Sequence, residues 1–258
     1  MDISPEMKEF FRAGYKEYLP HVAIDSTIFG YHEQQLKILL IKHRLLQGWS
    51  LPGGFIKRTE KLIDAANRIV KERTGIDNLY LQQFKTFGDP YRSRYDQSKA
   101  KHFFKQTMAM VEKDSWLLDH FISIGFYAIT DFSRTVPKTD FMSAECAWFD
   151  IDNHPKLELD HDQMVVEALH TMRMQLHYYP IGYSLLPHKF TLAEIHALYQ
   201  SLLGKKLDVS NFSKKLLALG LLKKLNEKRG IGPHRSPNLY SFDKRKYDMA
   251  LKQGLDLS

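Results

Sequence analysis

The chain has 258 residues and a mass of 30.2 kDa, and its 43% hydrophobic and 26% charged content excludes disordered and fibrous classes of protein. Its apolar runs fall far short of the roughly 20 residues that a transmembrane helix needs, and its start lacks the features of a signal peptide. The single cysteine, Cys146, excludes an internal disulfide, so we expect a reducing, cytoplasmic location.

The positive charge is concentrated at one end of the chain. The formal net charge is +7, but residues 185–258 carry 14 Lys and Arg against 6 Asp and Glu, whereas residues 1–184 carry 23 against 24. This asymmetry favours a polyanion-binding module joined to a neutral domain, and a solvated lysine-rich surface is the alternative. We therefore expect an N-terminal helical extension at 1–20 followed by two domains, 21–184 and 185–258.

The first 184 residues show alternating strand and helix signals. A short helix from the Ser4-Pro5 start to Tyr18 precedes a hairpin, and an amphipathic helix then buries residues at positions i, i+3, i+4, i+7 and i+8 before it ends at Gly75. Further strands are predicted at 79–87, 121–129 and 146–151, with helices at 100–111 and from Asp160 to His177. These elements predict a mixed sheet with helices packed on it, an α/β/α sandwich within an α+β chain.

The pattern changes after Pro187. Thr191 and Asp208 are the predicted N-caps of two successive helices, and residues 221–225 and 239–242 have the composition of two strands joined by a basic loop rich in Gly and Pro. Helix, helix, strand, basic loop and strand is the order of a winged helix, a variant of the helix-turn-helix unit.

One ordered pattern spans the turn and the amphipathic helix. Gly54, Glu60, Arg68, Glu72 and Gly75 resemble the Nudix box, whose three glutamates bind a divalent metal ion and activate water in Nudix hydrolases. Two of those positions are Ile69 and Arg73 here. Ile69 offers no oxygen, and a fixed unit charge about 4 Å from a divalent ion costs roughly 8 kcal/mol at an effective dielectric constant of about 20. We therefore expect no catalytic residue, metal ion or cofactor, with an active Nudix phosphohydrolase as the alternative.

A degenerate Nudix domain followed by a basic winged helix resembles the Nudix-related transcriptional regulator family. Residues 208–215, Asp-Val-Ser-Asn-Phe-Ser-Lys-Lys, are similar to that family's recognition helix, and residues 185–192 and 122–128 resemble its domain junction and central strand. The resemblance implies a homodimeric repressor or activator that binds operator DNA. Its Nudix domain would sense a small metabolite, either an ADP-ribose-type nucleotide related to NAD or a sugar such as arabinose.

The second predicted helix of the winged helix has one apolar and one polar face. Phe212, Leu216 and Leu219 share the apolar face, and Asn on the other face can pair with adenine while lysines meet phosphate or guanine. The predicted DNA contacts on this helix and on the basic loop are Ser210, Asn211, Lys214, Lys215, Lys228, Arg229, His234 and Arg235. Since winged helices also bind proteins, a protein-interaction module is a third hypothesis.

The effector pocket is predicted from the resemblance, because ligands of a Nudix fold lie on the sheet near the box. For Asp25 the alternative role is to satisfy a buried backbone group, and for Arg92 it is to lie on the plain surface. The predicted lining consists of Asp25, Lys42, His43, Gly54, Phe87, Asp89 and Arg92.

Overall fold

The structure is a computed structural model that describes residues 5–32, 34–44, 48–77, 79–90, 92, 116, 120–132, 138–140, 142–176, 183, 185–230 and 236–253. The described helices and strands, in chain order, are α1 (Pro5–Glu17), β1 (Tyr18–His32), β2 (Gln35–His43), β3 (Trp49–Ser50), β4 (Gly53–Lys57), α2 (Leu62–Thr74), β5 (Gln82–Phe87), β6 (Ile122–Asp131), β7 (Ser143–Asp150), α3 (His161–Gln175), α4 (Leu192–Leu203), α5 (Val209–Ala218), β8 (Leu222–Lys228), β9 (Asn238–Phe242) and α6 (Lys244–Gln253).

Seven described strands form one sheet around β2 and β1. The strand order is β3-β2-β1-β6-β5, with β4 also paired to β1 and β7 to β2. Strand β2 is paired along both of its edges, because Ile41 lies opposite Ser50 of β3 on one side and opposite Cys146 of β7 on the other. The sequence did not predict β3 and β4, since a two-residue strand and a Gly-Gly start carry little strand signal.

Alternate residues of β2 enter two different cores. Leu39 packs with α2 residues Ala66 and Ile69, whereas Ile38 and Leu40 pack with α3 residues that include Met164 and Val165. Because successive side chains of a strand point to opposite faces, α2 and α3 cover opposite faces of the sheet. The predicted α/β/α sandwich is therefore confirmed.

The amphipathic helix forms where its apolar spacing predicted it. Ala65, Ala66, Ile69 and Val70 of α2 are all buried. Gly75 ends the helix in a left-handed conformation (φ 72°), and its N–H donates to the carbonyl of Lys71 at 2.8 Å. The helix predicted at 100–111 lies outside the described residues.

The winged helix is built on capped helices and a two-stranded wing. Asp208 accepts a hydrogen bond from the backbone N–H of Asn211 (2.8 Å) and so caps α5 as predicted. Strands β8 and β9 are antiparallel, and Phe190 forms a further bridge to Tyr240 of β9. Helix α6 follows the wing and buries Tyr247; it was not predicted from the sequence.

The chain divides into two compact units. The first comprises Met1–Gly30, Lys37–Ile129 and Ser133–Ala168, and the second comprises Tyr31–Leu36, Thr130–Phe132 and Leu169–Ser258. The second unit thus contains the winged helix and, in addition, the turn between β1 and β2 and the C-terminal half of α3.

Thr191 and Glu194 form a capping box at the start of α4, and we expect it to stabilise the winged helix. The Thr191 hydroxyl accepts from the Glu194 N–H (3.2 Å), and the Glu194 carboxylate accepts from the Thr191 N–H (2.7 Å). Thr191→Ala should lower the free energy of unfolding by about 1 kcal/mol in urea denaturation. The control Ser201→Ala, within the same helix, should change it by less than about 0.5 kcal/mol. Equal effects of the two substitutions would contradict a capping role.

Candidate functional site

Arg68 binds both acidic side chains of the box. Its guanidinium donates to Glu60 from Nε (2.9 Å) and Nη2 (2.5 Å), to Glu72 from Nη1 (2.9 Å), and to the carbonyl of Phe55 on β4 (2.8 Å). The hydrogen bonds from Arg68 are the main cause of a lowered pKa of Glu60, to which the N–H of Lys57 also donates. Arg68 therefore ties α2 to β4 through the carbonyl of Phe55 and through Glu60, whereas Glu72 lies on α2 itself.

Ile69 belongs to the core. Its side chain is 1% exposed and packs directly on Gly54, where an added Cβ would lie 3.1 Å from Ile69 Cγ1. Gly54 is thus a point of close packing between β4 and α2.

Arg73 is held in place by two contacts. Its Nε donates to the carbonyl oxygen of Gly53 (2.9 Å), and Nη1 forms an ion pair with Asp140; the two side chains are 10% and 14% exposed. Asp140 is fixed in turn, because its Oδ1 accepts from the backbone N–H groups of Met142 (3.1 Å) and Ser143 (2.8 Å). The positive charge of Arg73 is therefore a fixed feature of the box.

The residues of the box do not fit the divalent metal ion of a Nudix hydrolase. Mg²⁺ needs several oxygen ligands in an octahedral shell. Ile69 has no oxygen, Arg73 brings a positive charge, and Glu72 is paired with Arg68. Within the described ranges, no group of three or more His, Cys, Asp or Glu side chains is arranged to hold a metal ion.

Asp25 and Arg92 lie in one buried polar cluster, which we call the Asp25–Arg92 cluster. Arg92 donates to both carboxylate oxygens of Asp160 (2.9 and 2.8 Å), and its Nη2 lies 3.7 Å from Asp25 Oδ2. The hydroxyl of Ser123 donates to the same oxygen of Asp25 at 2.5 Å. Arg92 is only 5% exposed, so the alternative of a plain surface residue does not hold.

His161 completes the Asp25–Arg92 cluster and leaves one polar atom without a partner. Its Nδ1 accepts from the backbone N–H of Leu51 (3.0 Å), so a neutral ring carries its proton on Nε2. Nε2 is buried, has no hydrogen-bond partner among the described residues, and lies 3.6 Å from Asp25 Oδ1. It is an unsatisfied buried polar atom beside the Asp25 carboxylate.

His43 lies close enough to the Arg73–Asp140 ion pair and to the Asp25–Arg92 cluster to be affected by their charges. Its pKa is lowered to about 4, mainly by burial and then by the charges of Arg73 and His161, while Asp140 and Asp25 oppose the shift. The imidazole is therefore neutral at physiological pH and can both donate and accept a hydrogen bond.

The structure does not bring the other predicted effector residues together in the same way. Lys42 pairs with Glu145 of β7 (3.1 Å), and Phe87 is buried in the core beneath α3. The carbonyl of Asp89 accepts the backbone N–H of Arg92 (3.0 Å), so Asp89 supports the turn that carries Arg92. Asp140, Asp160 and Ser123 are site residues that sequence reasoning missed, because no local pattern marks their partners.

The predicted recognition helix presents its polar face to solvent. Phe212 packs against the rings of His196 and Tyr199, each at 5.3 Å between centroids, which anchors the opposite face. Four exposed residues of this helix are those predicted to contact DNA: Ser210, Asn211, Lys214 and Lys215.

Arg229 of the wing contacts the body of the winged helix. It donates to Glu194 of the capping box (2.5 Å) and to the carbonyl of Lys189 (2.9 Å). It therefore anchors the wing to α4, whereas its neighbour Lys228 is exposed. His234 and Arg235 lie outside the described residues. Exposed Lys244, Arg245 and Lys246 on α6 extend the basic surface beyond the predicted set.

No helix in the described part of the chain is long and apolar enough to cross a membrane.

Comparisons with known proteins agree with this architecture. Residues 19–168 match the NUDIX domain, and residues 182–242 match the NrtR DNA-binding winged helix domain. The chain is 25% identical to an ADPR responsive transcriptional repressor NtrR from Acinetobacter baylyi, over 92% of this chain and 88% of that protein. It is 31% identical to an ADP-ribose pyrophosphatase from Methanocaldococcus jannaschii, over 60% of this chain and 77% of that protein.

A solved structure has the same fold over most of its length. The crystal structure of Shewanella oneidensis NrtR complexed with a 27mer DNA has a TM-score of 0.65 and 24% identity, and the match covers 88% of this chain and 95% of that chain. The chain therefore belongs to the Nudix family and joins a Nudix domain to an NrtR-type DNA-binding winged helix domain.

Proposed function

We propose that this chain is a transcriptional repressor that binds operator DNA through its winged helix and responds to ADP-ribose. In this proposal the Nudix domain binds the effector and does not hydrolyse it. The observation that carries the proposal is Arg73, fixed by Asp140 within the box of a domain that is joined to a winged helix. The name of the Acinetobacter baylyi relative, which matches over nearly its full length, supports the effector and the repressor role.

The DNA-binding surface follows from the exposed face of α5. Asn211 lies in the first turn, where recognition helices contact base edges, and an Asn amide pairs bidentately with adenine. Lys214 and Lys215 lie one turn further along and suit phosphate or guanine. Lys228 on the wing adds a phosphate contact, and Arg229 keeps the wing in position.

The effector site follows from the polar groups beside the box. We propose that Asp25 accepts hydrogen bonds from ribose hydroxyls, that His43 and Nε2 of His161 donate to oxygens of the ribose or the diphosphate, and that Arg92 positions Asp25. ADP-ribose offers both kinds of group. A neutral pentose such as arabinose offers only hydroxyls and has no anionic group for a charge-assisted hydrogen bond.

We also propose that two copies of the chain act together in the cytoplasm. Paired recognition helices read the two half-sites of a two-fold symmetric operator. A reducing compartment suits the single thiol of Cys146, whose pKa burial raises to about 12, so that it stays protonated.

An active phosphohydrolase is the second candidate function. Gly54, Glu60, Arg68, Glu72 and Gly75 of the box are retained, and the Methanocaldococcus jannaschii relative is an ADP-ribose pyrophosphatase.

We expect no hydrolysis of ADP-ribose in the presence of Mg²⁺ or Mn²⁺, because the box lacks the carboxylates that would hold the ion. The measurement is chromatographic detection of AMP after prolonged incubation. Magnesium-dependent release of AMP that disappears in Glu72→Gln would establish the phosphohydrolase instead.

Lys214→Ala/Lys215→Ala should weaken operator binding and its dependence on salt. If both lysines contact phosphates, the slope of log affinity against log salt becomes less negative by about 2, as measured by fluorescence anisotropy with the promoter of the chain's own gene. The control Lys61→Ala/Lys71→Ala removes the same charge from the exposed surface of the Nudix domain and should leave the slope unchanged. Unchanged binding by the α5 variant would indicate that this winged helix does not contact DNA through α5.

ADP-ribose should shift the affinity for operator DNA, by about 10-fold or more, whereas arabinose should not. Since coupling between two binding sites is reciprocal, operator DNA must change the affinity for ADP-ribose by the same factor. Both affinities can be titrated at one salt concentration. An effect of arabinose without an effect of ADP-ribose would show that the sensor recognises sugars.

A further inference from the structure

The box position of Arg73 holds a fixed positive charge close to where a Nudix hydrolase holds its metal ion. The guanidinium makes two contacts: Nε donates a hydrogen bond to the carbonyl of Gly53, and Nη1 pairs with Asp140. Its third nitrogen, Nη2, has no hydrogen-bond partner among the described residues, and an arginine has five N–H donors in all. Arg73 therefore combines a preset orientation with donors that remain available.

Asp140 does not depend on Arg73 for its own position. Its Oδ1 accepts from the N–H groups of Met142 and Ser143, and only Oδ2 faces Arg73. A competing anion can thus take over the Arg73 donors while Asp140 stays on its backbone contacts.

The charge of Arg73 is next to the predicted effector site. Gly53, whose carbonyl accepts from Arg73, packs so closely on Asp25 that an added Cβ would lie 2.0 Å from Asp25 Oδ1. Gly53 therefore contacts both Arg73 and Asp25, so Arg73 is a neighbour of the Asp25–Arg92 cluster.

We propose that the Arg73 guanidinium replaces the divalent metal ion of the Nudix box and binds the diphosphate of the effector, so that effector binding needs no metal. This inference rests on the proposed function, which supplies a diphosphate ligand. A guanidinium forms charge-assisted, bidentate hydrogen bonds with phosphate oxygens, as a metal ion would coordinate them. Unlike a metal ion, it does not acidify a bound water molecule, so it supplies positive charge for the phosphates without generating a nucleophile.

The first test compares metal-free and metal-containing buffers. Isothermal titration calorimetry of the full chain with ADP-ribose, in EDTA and in Mg²⁺, should give dissociation constants that agree within about 2-fold, well below the 10-fold change that 1.4 kcal/mol of metal-dependent binding would produce. Binding only in Mg²⁺ would overturn the role of Arg73 and leave the proposed function standing. No binding in either buffer would overturn the proposed function itself.

The second test uses two variants with opposite expected signs. In EDTA, Arg73→Gln should weaken ADP-ribose binding by about 10-fold or more, because a charge-assisted contact is lost. Asp140→Asn should strengthen binding by several-fold, because it removes the competing charge while its Oδ1 still accepts from Met142 and Ser143. The control Lys71→Gln, exposed on the same helix, should leave the dissociation constant unchanged.

The opposite signs separate ligand binding from a purely structural role. If Arg73 and Asp140 only stabilised the fold, both substitutions would weaken binding together. Where Arg73→Gln does not fold, Asp140→Asn decides alone: tighter binding supports the proposal, and unchanged or weaker binding contradicts it.

Discussion

Arg73 and Asp140 form a buried ion pair between α2 and the residues just before β7, and the chemistry available to the Nudix domain depends on it. Removing one partner of such a pair leaves an uncompensated buried charge, at a cost of about 3–5 kcal/mol. The pair is also supported from both sides, by Gly53 behind Arg73 and by two backbone N–H groups behind Asp140. The charge at position 73 is therefore built into the packing of this domain.

Ile69 and Arg73 stand at two glutamate positions of the Nudix box, and each has a different structural role. Ile69 contributes to the apolar face of α2 and fills the space over Gly54, whereas Arg73 ties α2 to the polar edge of the sheet. Restoring a metal site would require a carboxylate inside the core and a second carboxylate opposite Asp140. Both changes would be costly in the present packing.

The sequence predicted what depends on local patterns. The apolar spacing of α2, the stop at Gly75, the Asp208 cap and the order of elements in the winged helix are all confirmed. It did not predict pairings between distant residues, because Arg73 gives no local sign that Asp140 will face it. Arg92 and Asp160 are equally distant in sequence. The same limit applies to Arg229, whose pairing with Glu194 was not predicted.

The ion pairs of the winged helix indicate which of its side chains carry the excess positive charge. Three of its six acidic residues, Glu194, Glu227 and Asp243, pair with basic residues around the wing. Those pairs are nearly neutral to an approaching polyanion. The excess positive charge of residues 185–258 therefore resides on other side chains, which include the exposed lysines of α5 and α6. A phosphate backbone is attracted most strongly where positive charges are clustered, and this is the physical basis of the proposed DNA contact through α5.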